Sequence, residues 1–128
     1  MAEAVLVNDD IQAGSELVQI LDEARFPVTG AAWIYFPDAE EWRLVIRTPK
    51  AAQNLQEAYL DVARAMDAKG DLRTRLNLAR VKLVPPKDRM LEALGTVIRA
   101  PGLGSIRFSR NVINGIYIDD ALIYRLAA

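Results

Sequence analysis

The fold turns on Val28-Thr29-Gly30-Ala31-Ala32-Trp33-Ile34-Tyr35-Phe36 and, beyond Pro37-Asp38-Ala39-Glu40-Glu41, on Trp42-Arg43-Leu44-Val45-Ile46-Arg47. Both halves are rich in β-branched and aromatic residues and are separated by a turn-forming cluster, the signature of a hairpin. Setting Phe36 opposite Trp42 brings Ile34 to Leu44 and Ala32 to Ile46. One face is then wholly apolar and must pack on helices. The other face receives Trp33, Tyr35, Arg43, Val45 and Arg47.

That second face is the best binding surface in the chain. Rings on a sheet can stack nucleobases while guanidinium groups hold phosphates. Trp, Tyr and Arg are equally the residues that dominate protein interfaces. A third reading is a cation–π pair of Tyr35 with Arg43 beneath a covering helix.

Around the hairpin the chain reads as further regular elements. Asp9 and Gln12 form a capping-box pattern for a first helix that carries Leu17, Val18, Leu21 and Ala24 to a stop at Phe26-Pro27, with Gly14 weakening its early turns. Thr48 as N-cap and Pro49 at the first position open a second helix, with Leu55, Ala58, Tyr59, Val62, Ala63 and Met66 on one face and Gly70 at its end. A strand over 78–84 sets Val81 and Leu83 against Arg80 and Lys82 before Pro85-Pro86. Asp88 caps a third helix striped by Leu91, Leu94, Val97 and Ile98.

Residues 106–126 supply two last strands, whose register is contested. Asn114-Gly115 favours a two-residue turn that pairs Ile113 with Ile116, but this sends Ile106 and Phe108 to the face opposite Ile116, Ile118 and Leu122. A five-residue loop over 111–115 unites both apolar sets on one face, and burial favours it. The result is one α+β domain over 1–128 in the order α-β-β-α-β-α-β-β: a mainly antiparallel sheet of about five strands with three helices.

The 128 residues contain no cysteine and no histidine. Disulfides, thiolate nucleophiles, iron–sulfur clusters, the Ser-His-Asp triad and every His-ligated metal are thereby excluded. Carboxylate, Lys, Arg, Tyr, Ser and Thr chemistry remains, with magnesium as its natural helper. Ser105 and Ser109 lack a base, and Gly102-Leu103-Gly104 follows a helix where a nucleotide-binding loop follows a strand. No apolar run approaches the ~18 residues of a membrane span, and the acidic start differs from a basic secretory leader. A cytoplasmic protein without membrane partner is the expectation.

Charge is segregated along the chain. Residues 1–42 carry −8 and residues 43–128 carry +7, and between 69 and 110 ten bases face only Asp71, Asp88 and Glu92. Arg73, Arg75, Arg80, Lys82, Arg107 and Arg110 could form a nucleic-acid-binding patch, or the acidic third could fold against the basic remainder. The pI of 5.5 favours the second reading, being far below that of a dedicated nucleic-acid domain.

Asp119-Asp120 is the one adjacent acid pair inside an apolar strand. Adjacent strand residues face opposite ways, so the two cannot share a metal without a bulge. Asp120 alternates with Ile118 and Leu122 and needs a partner such as Arg110. No metal site and no cofactor is predicted. The sequence thus points to a small non-catalytic binding or regulatory module that forms a homo-oligomer or docks a protein partner through Trp33, Tyr35, Arg43 and Arg47. A nucleic-acid-binding domain is the alternative, and an Asp119/Asp120 magnesium-dependent phosphodiesterase or nuclease the third.

Overall fold

The 28–48 stretch forms β1 (Gly30–Phe36) and β2 (Glu41–Arg47) as an antiparallel hairpin in the computed structural model, which describes residues 5–127. Its register differs by one residue from the expected one. Phe36 lies opposite Glu41, Tyr35 opposite Trp42, Trp33 opposite Leu44 and Ala31 opposite Ile46. The turn closes over four residues, Pro37–Glu40, with Glu40 in the left-handed region at φ 51°. One residue less in the turn transfers the whole side-chain set to the other face. Trp33 and Tyr35 therefore join Trp42, Leu44 and Ile46, while Arg43 and Arg47 point the other way with Ala32, Ile34 and Phe36.

The sheet is completed by β3 (Val81–Val84), β4 (Ile106–Ile113) and β5 (Ile116–Leu126), in the spatial order β3-β2-β1-β5-β4. Every neighbouring pair is antiparallel except β2 with β3. That pair is parallel because a long helical crossover separates the two strands, which returns the chain in its original direction. The fold is α+β with a mixed, mostly antiparallel sheet.

Among the described residues five α-helices stand where three are expected: α1 (Asn8–Glu23), α2 (Lys50–Gln53), α3 (Leu55–Asp67), α4 (Leu72–Arg75) and α5 (Arg89–Gly95). The expected second helix is broken at Asn54, which is extended (φ −158°) and whose side chain accepts a hydrogen bond from the Glu57 amide. Such a cap contributes about 1 kcal/mol, enough to start a new helix there. Asp88 caps α5 as expected, accepting from the Leu91 amide at 3.1 Å. Asp9 does not cap α1, because the helix already begins at Asn8 and places Asp9 and Asp10 in its positively polarised first turn.

Both faces of the sheet are buried. On the first, α1, α3 and α4 bring Leu17, Leu21, Val62, Met66, Leu72 and Leu76 onto Trp33, Trp42, Leu44 and Ile46. On the second, α5 brings Leu91, Ala93 and Leu94 onto Ala32, Ile34, Val45, Ala121 and Ile123. The C-terminal hairpin is accordingly free to follow its turn. Ile113 pairs with Ile116, and Asn114 (φ 51°) and Gly115 (φ 80°) have the two positive φ angles of a type I′ turn. The expected five-residue loop is incorrect because it assumes a single apolar face. With a core on each face, Phe108 packs in the second and Leu122 in the first.

The charge segregation is resolved within the chain. Four acids of α1 meet four bases of the remainder: Asp10 with Arg80 (3.0 Å), Glu16 with Arg75 (2.7 Å), Asp22 with Arg125 (2.7 Å) and Glu23 with Lys69 (3.4 Å). Glu3, another member of the acidic third, lies outside the described residues.

Candidate functional site

The register places the four expected binding residues two by two on opposite faces. Trp33 is 0% exposed, its indole N–H donating to the Asp10 carbonyl at 3.2 Å and its ring lying under the Arg80 guanidinium at 4.6 Å. Tyr35 is half-buried beside Trp42, with ring centroids 5.6 Å apart. Arg43 sits on the other face, over the Phe36 ring at 5.4 Å and paired with Glu41. Arg47, only 8% exposed, is a buried residue of that same face. An aromatic and arginine surface made of these four residues does not exist.

Of the six bases proposed for nucleic acid, four are engaged by acids: Arg73 with Asp67, Arg75 with Glu16 and Asp71, Arg80 with Asp10, and Arg107 with Asp120. The bond to Glu16 raises the Arg75 pKa, and that to Asp120 raises the Arg107 pKa. Lys82 rests over Phe36 at 5.5 Å, and Arg110 stands at φ 50° in β4. The bases are spread over salt bridges with different elements.

Asp120 takes both oxygens of its carboxylate to Arg107, at 2.7 and 2.6 Å, and the same guanidinium lies 5.5 Å from the centre of the Trp42 ring. The partner is Arg107, directly across from Leu122 on β4, and not Arg110. Asp119 accepts a hydrogen bond from the Tyr117 hydroxyl at 3.2 Å. Burial followed by that bond raises the Tyr117 pKa. Among the described residues, no three carboxylates converge as a metal site would require.

Two features absent from the sequence reading stand out. The first is β4, an eight-residue sheet edge whose residues are exposed or half-exposed from Ile106 to Val112. Ile106 is 38% exposed, and the cross-strand pair Val112 and Tyr117 is 61% and 52% exposed. The opposite edge, β3, is only four residues long and runs into Pro85-Pro86. Short length and proline are the usual protections of an edge, and β4 has neither. The alternation Ile106-Arg107-Phe108-Ser109-Arg110 was legible as a half-exposed strand, but its place at the sheet edge follows from topology.

The second feature is a cavity of about 380 Å³ lined by Arg47, Thr29, Glu92, Thr96 and two prolines, Pro49 and Pro86. Arg47 is fixed at it by Nε, which donates to Thr29 Oγ1 at 3.1 Å, and by Nη2, which donates to the carbonyls of Thr29 (2.8 Å) and Ala127 (2.7 Å). Burial lowers its pKa, while Asp88 and Glu92 act in the opposite sense.

The chain matches no family model, no curated protein and no solved structure. Among the described residues, no helix is long and apolar enough to cross a membrane.

Proposed function

We propose that this protein is a small cytoplasmic, non-catalytic binding module that pairs with a second copy of itself through the β4 edge. The observation that carries the reading is the long, exposed outer strand. A two-residue hairpin turn makes Ile113 and Ile116 a hydrogen-bonded pair, so Ile113 and Asn111 bond β5. Val112 between them, 61% exposed, turns its amide and carbonyl groups outward, and beyond the break at Arg110 (φ 50°) the edge continues with no strand among the described residues outside it. An antiparallel second copy can satisfy those groups.

Antiparallel pairing of two β4 edges is an isologous contact, the self-complementary kind that closes at two copies.

Size-exclusion chromatography with light scattering over a wide concentration range tests the reading. The mass should rise from the 14.2 kDa of one chain towards twice that value. Ile106→Lys, a charge at an exposed position of the edge, should hold the protein at one chain. Leu60→Lys, at an exposed position of α3, should leave association unchanged. A mass of one chain at every concentration overturns the reading.

A further inference from the structure

We propose that the Arg47 cavity binds a small zwitterion of the free α-amino-acid class, with its carboxylate on Arg47 and its ammonium on Glu92. Arg47 is 8% exposed yet has no carboxylate within ion-pair distance among the described residues. Its Nε and Nη2 are fully engaged by Thr29 and Ala127, and Nη1 makes no hydrogen bond with any described residue. Nη1 is nevertheless not sealed off. The buried side-chain nitrogen or oxygen that lacks a partner among the described residues is Nε of Arg125 alone, so Nη1 meets solvent, and the space Arg47 lines is the cavity.

A buried guanidinium held only by neutral oxygens is an incomplete arrangement. Burying a charge is costly unless it is paired, and the free Nη1 protons can donate to a carboxylate. Glu92 lines the same cavity without an ion-pair partner among the described residues, and Asp88 adds a second negative field at Arg47. These acids oppose a ligand that is only anionic, such as phosphate. Arg47 in turn opposes one that is only cationic. A molecule bearing both charges a few bonds apart satisfies each side.

The remaining lining sets the size and polarity of the rest of the ligand. Pro49, Pro86 and Ala127 offer apolar walls, and the volume lies within the range of small-molecule sites. Thr96, which lines the cavity, donates from Oγ1 to the Ala93 carbonyl at 2.7 Å, so that oxygen retains acceptor capacity for an ammonium proton. Arg47 itself is positioned before any ligand arrives, because three hydrogen bonds fix its plane. Such preorganisation lowers the entropy cost of binding.

Amide chemical shifts of the intact chain, titrated with each of the common free L-amino acids to about 10 mM, provide the test. At least one amino acid should give saturable shifts at Thr29, Glu92 and Thr96. Its N-acetyl derivative, lacking the ammonium, and its methyl ester, lacking the carboxylate, should each bind at least roughly tenfold more weakly. Glu92 is exposed on α5, so Glu92→Gln keeps the fold, and it should weaken the free amino acid by roughly tenfold while leaving the N-acetyl form unchanged. Three results overturn the proposal: no shift with any amino acid, equal binding of the capped derivatives, or an unaltered affinity in Glu92→Gln. Shifts with inorganic phosphate of equal strength would mark a simple anion site and also overturn it.

Discussion

Gly14 shows how one residue can hold two meanings. Read in sequence, it is a weak helix former in the early turns of α1. In the folded chain it is the point where the helix backbone meets Trp33 and Tyr124, and a Cβ there would stand 2.6 Å from Trp33 Nε1 and 2.6 Å from the Tyr124 hydroxyl. Both of those groups are fixed: the indole donates to the Asp10 carbonyl and the Tyr124 hydroxyl to the Ile11 carbonyl at 2.5 Å. Burial also pushes the Tyr124 phenol well above its usual pKa, as suits a group that must stay protonated. Gly14→Ala should therefore destabilise the protein by about 1–3 kcal/mol, although helix propensity alone favours alanine by up to about 1 kcal/mol. Urea denaturation measures it, and an unchanged or higher midpoint would refute the packing role. The sequence could not disclose this contact, because it depends on which face Trp33 occupies.

At the scale of elements, the existence of strands and helices was legible and their register was not. The five residues from Gly30 to Ile34 are all buried, so the apolar pattern of β1 carries no information about which face is which. Turn length then decides, and Pro37–Glu40 closes one residue sooner than Phe36 opposite Trp42 requires. The C-terminal hairpin errs in the other direction. There the turn residues state the register outright, and only the assumption of a single core argues against them. Capping was legible at Asp88 and misread at Asp9, and the Asn54 cap was hidden inside an apparently continuous periodicity. Because Gly115 stands at φ 80° in the type I′ turn, Gly115→Ala should cost about 1 kcal/mol or more, read as a lower thermal midpoint. A midpoint equal to that of the parent chain would mean that the turn does not hold the β4–β5 register.

For the whole molecule, the contrast between an acidic first third and a basic remainder is a statement about internal assembly. α1 carries acids to Arg80, Arg75, Arg125 and Lys69, on segments distant in sequence, and so seats the helix over the first core. What the molecule leaves unsatisfied is at its margin, in the outward main-chain groups of β4 and in the Arg47 cavity. The edge could not be read from the chain because strand order is a property of the assembled sheet; the cavity could not, because Arg47 was assigned to the wrong face. Self-pairing through β4 makes a specific claim about one amide. The Val112 N–H, next to the hydrogen-bonded pair Ile113 and Ile116, points away from β5, so a single copy leaves it to water, while a second copy bonds it. Hydrogen exchange of the Val112 amide, followed by NMR as concentration rises, should slow in step with association, and should remain fast in Ile106→Lys at every concentration. Exchange at Val112 that is independent of concentration in the parent chain would contradict the account.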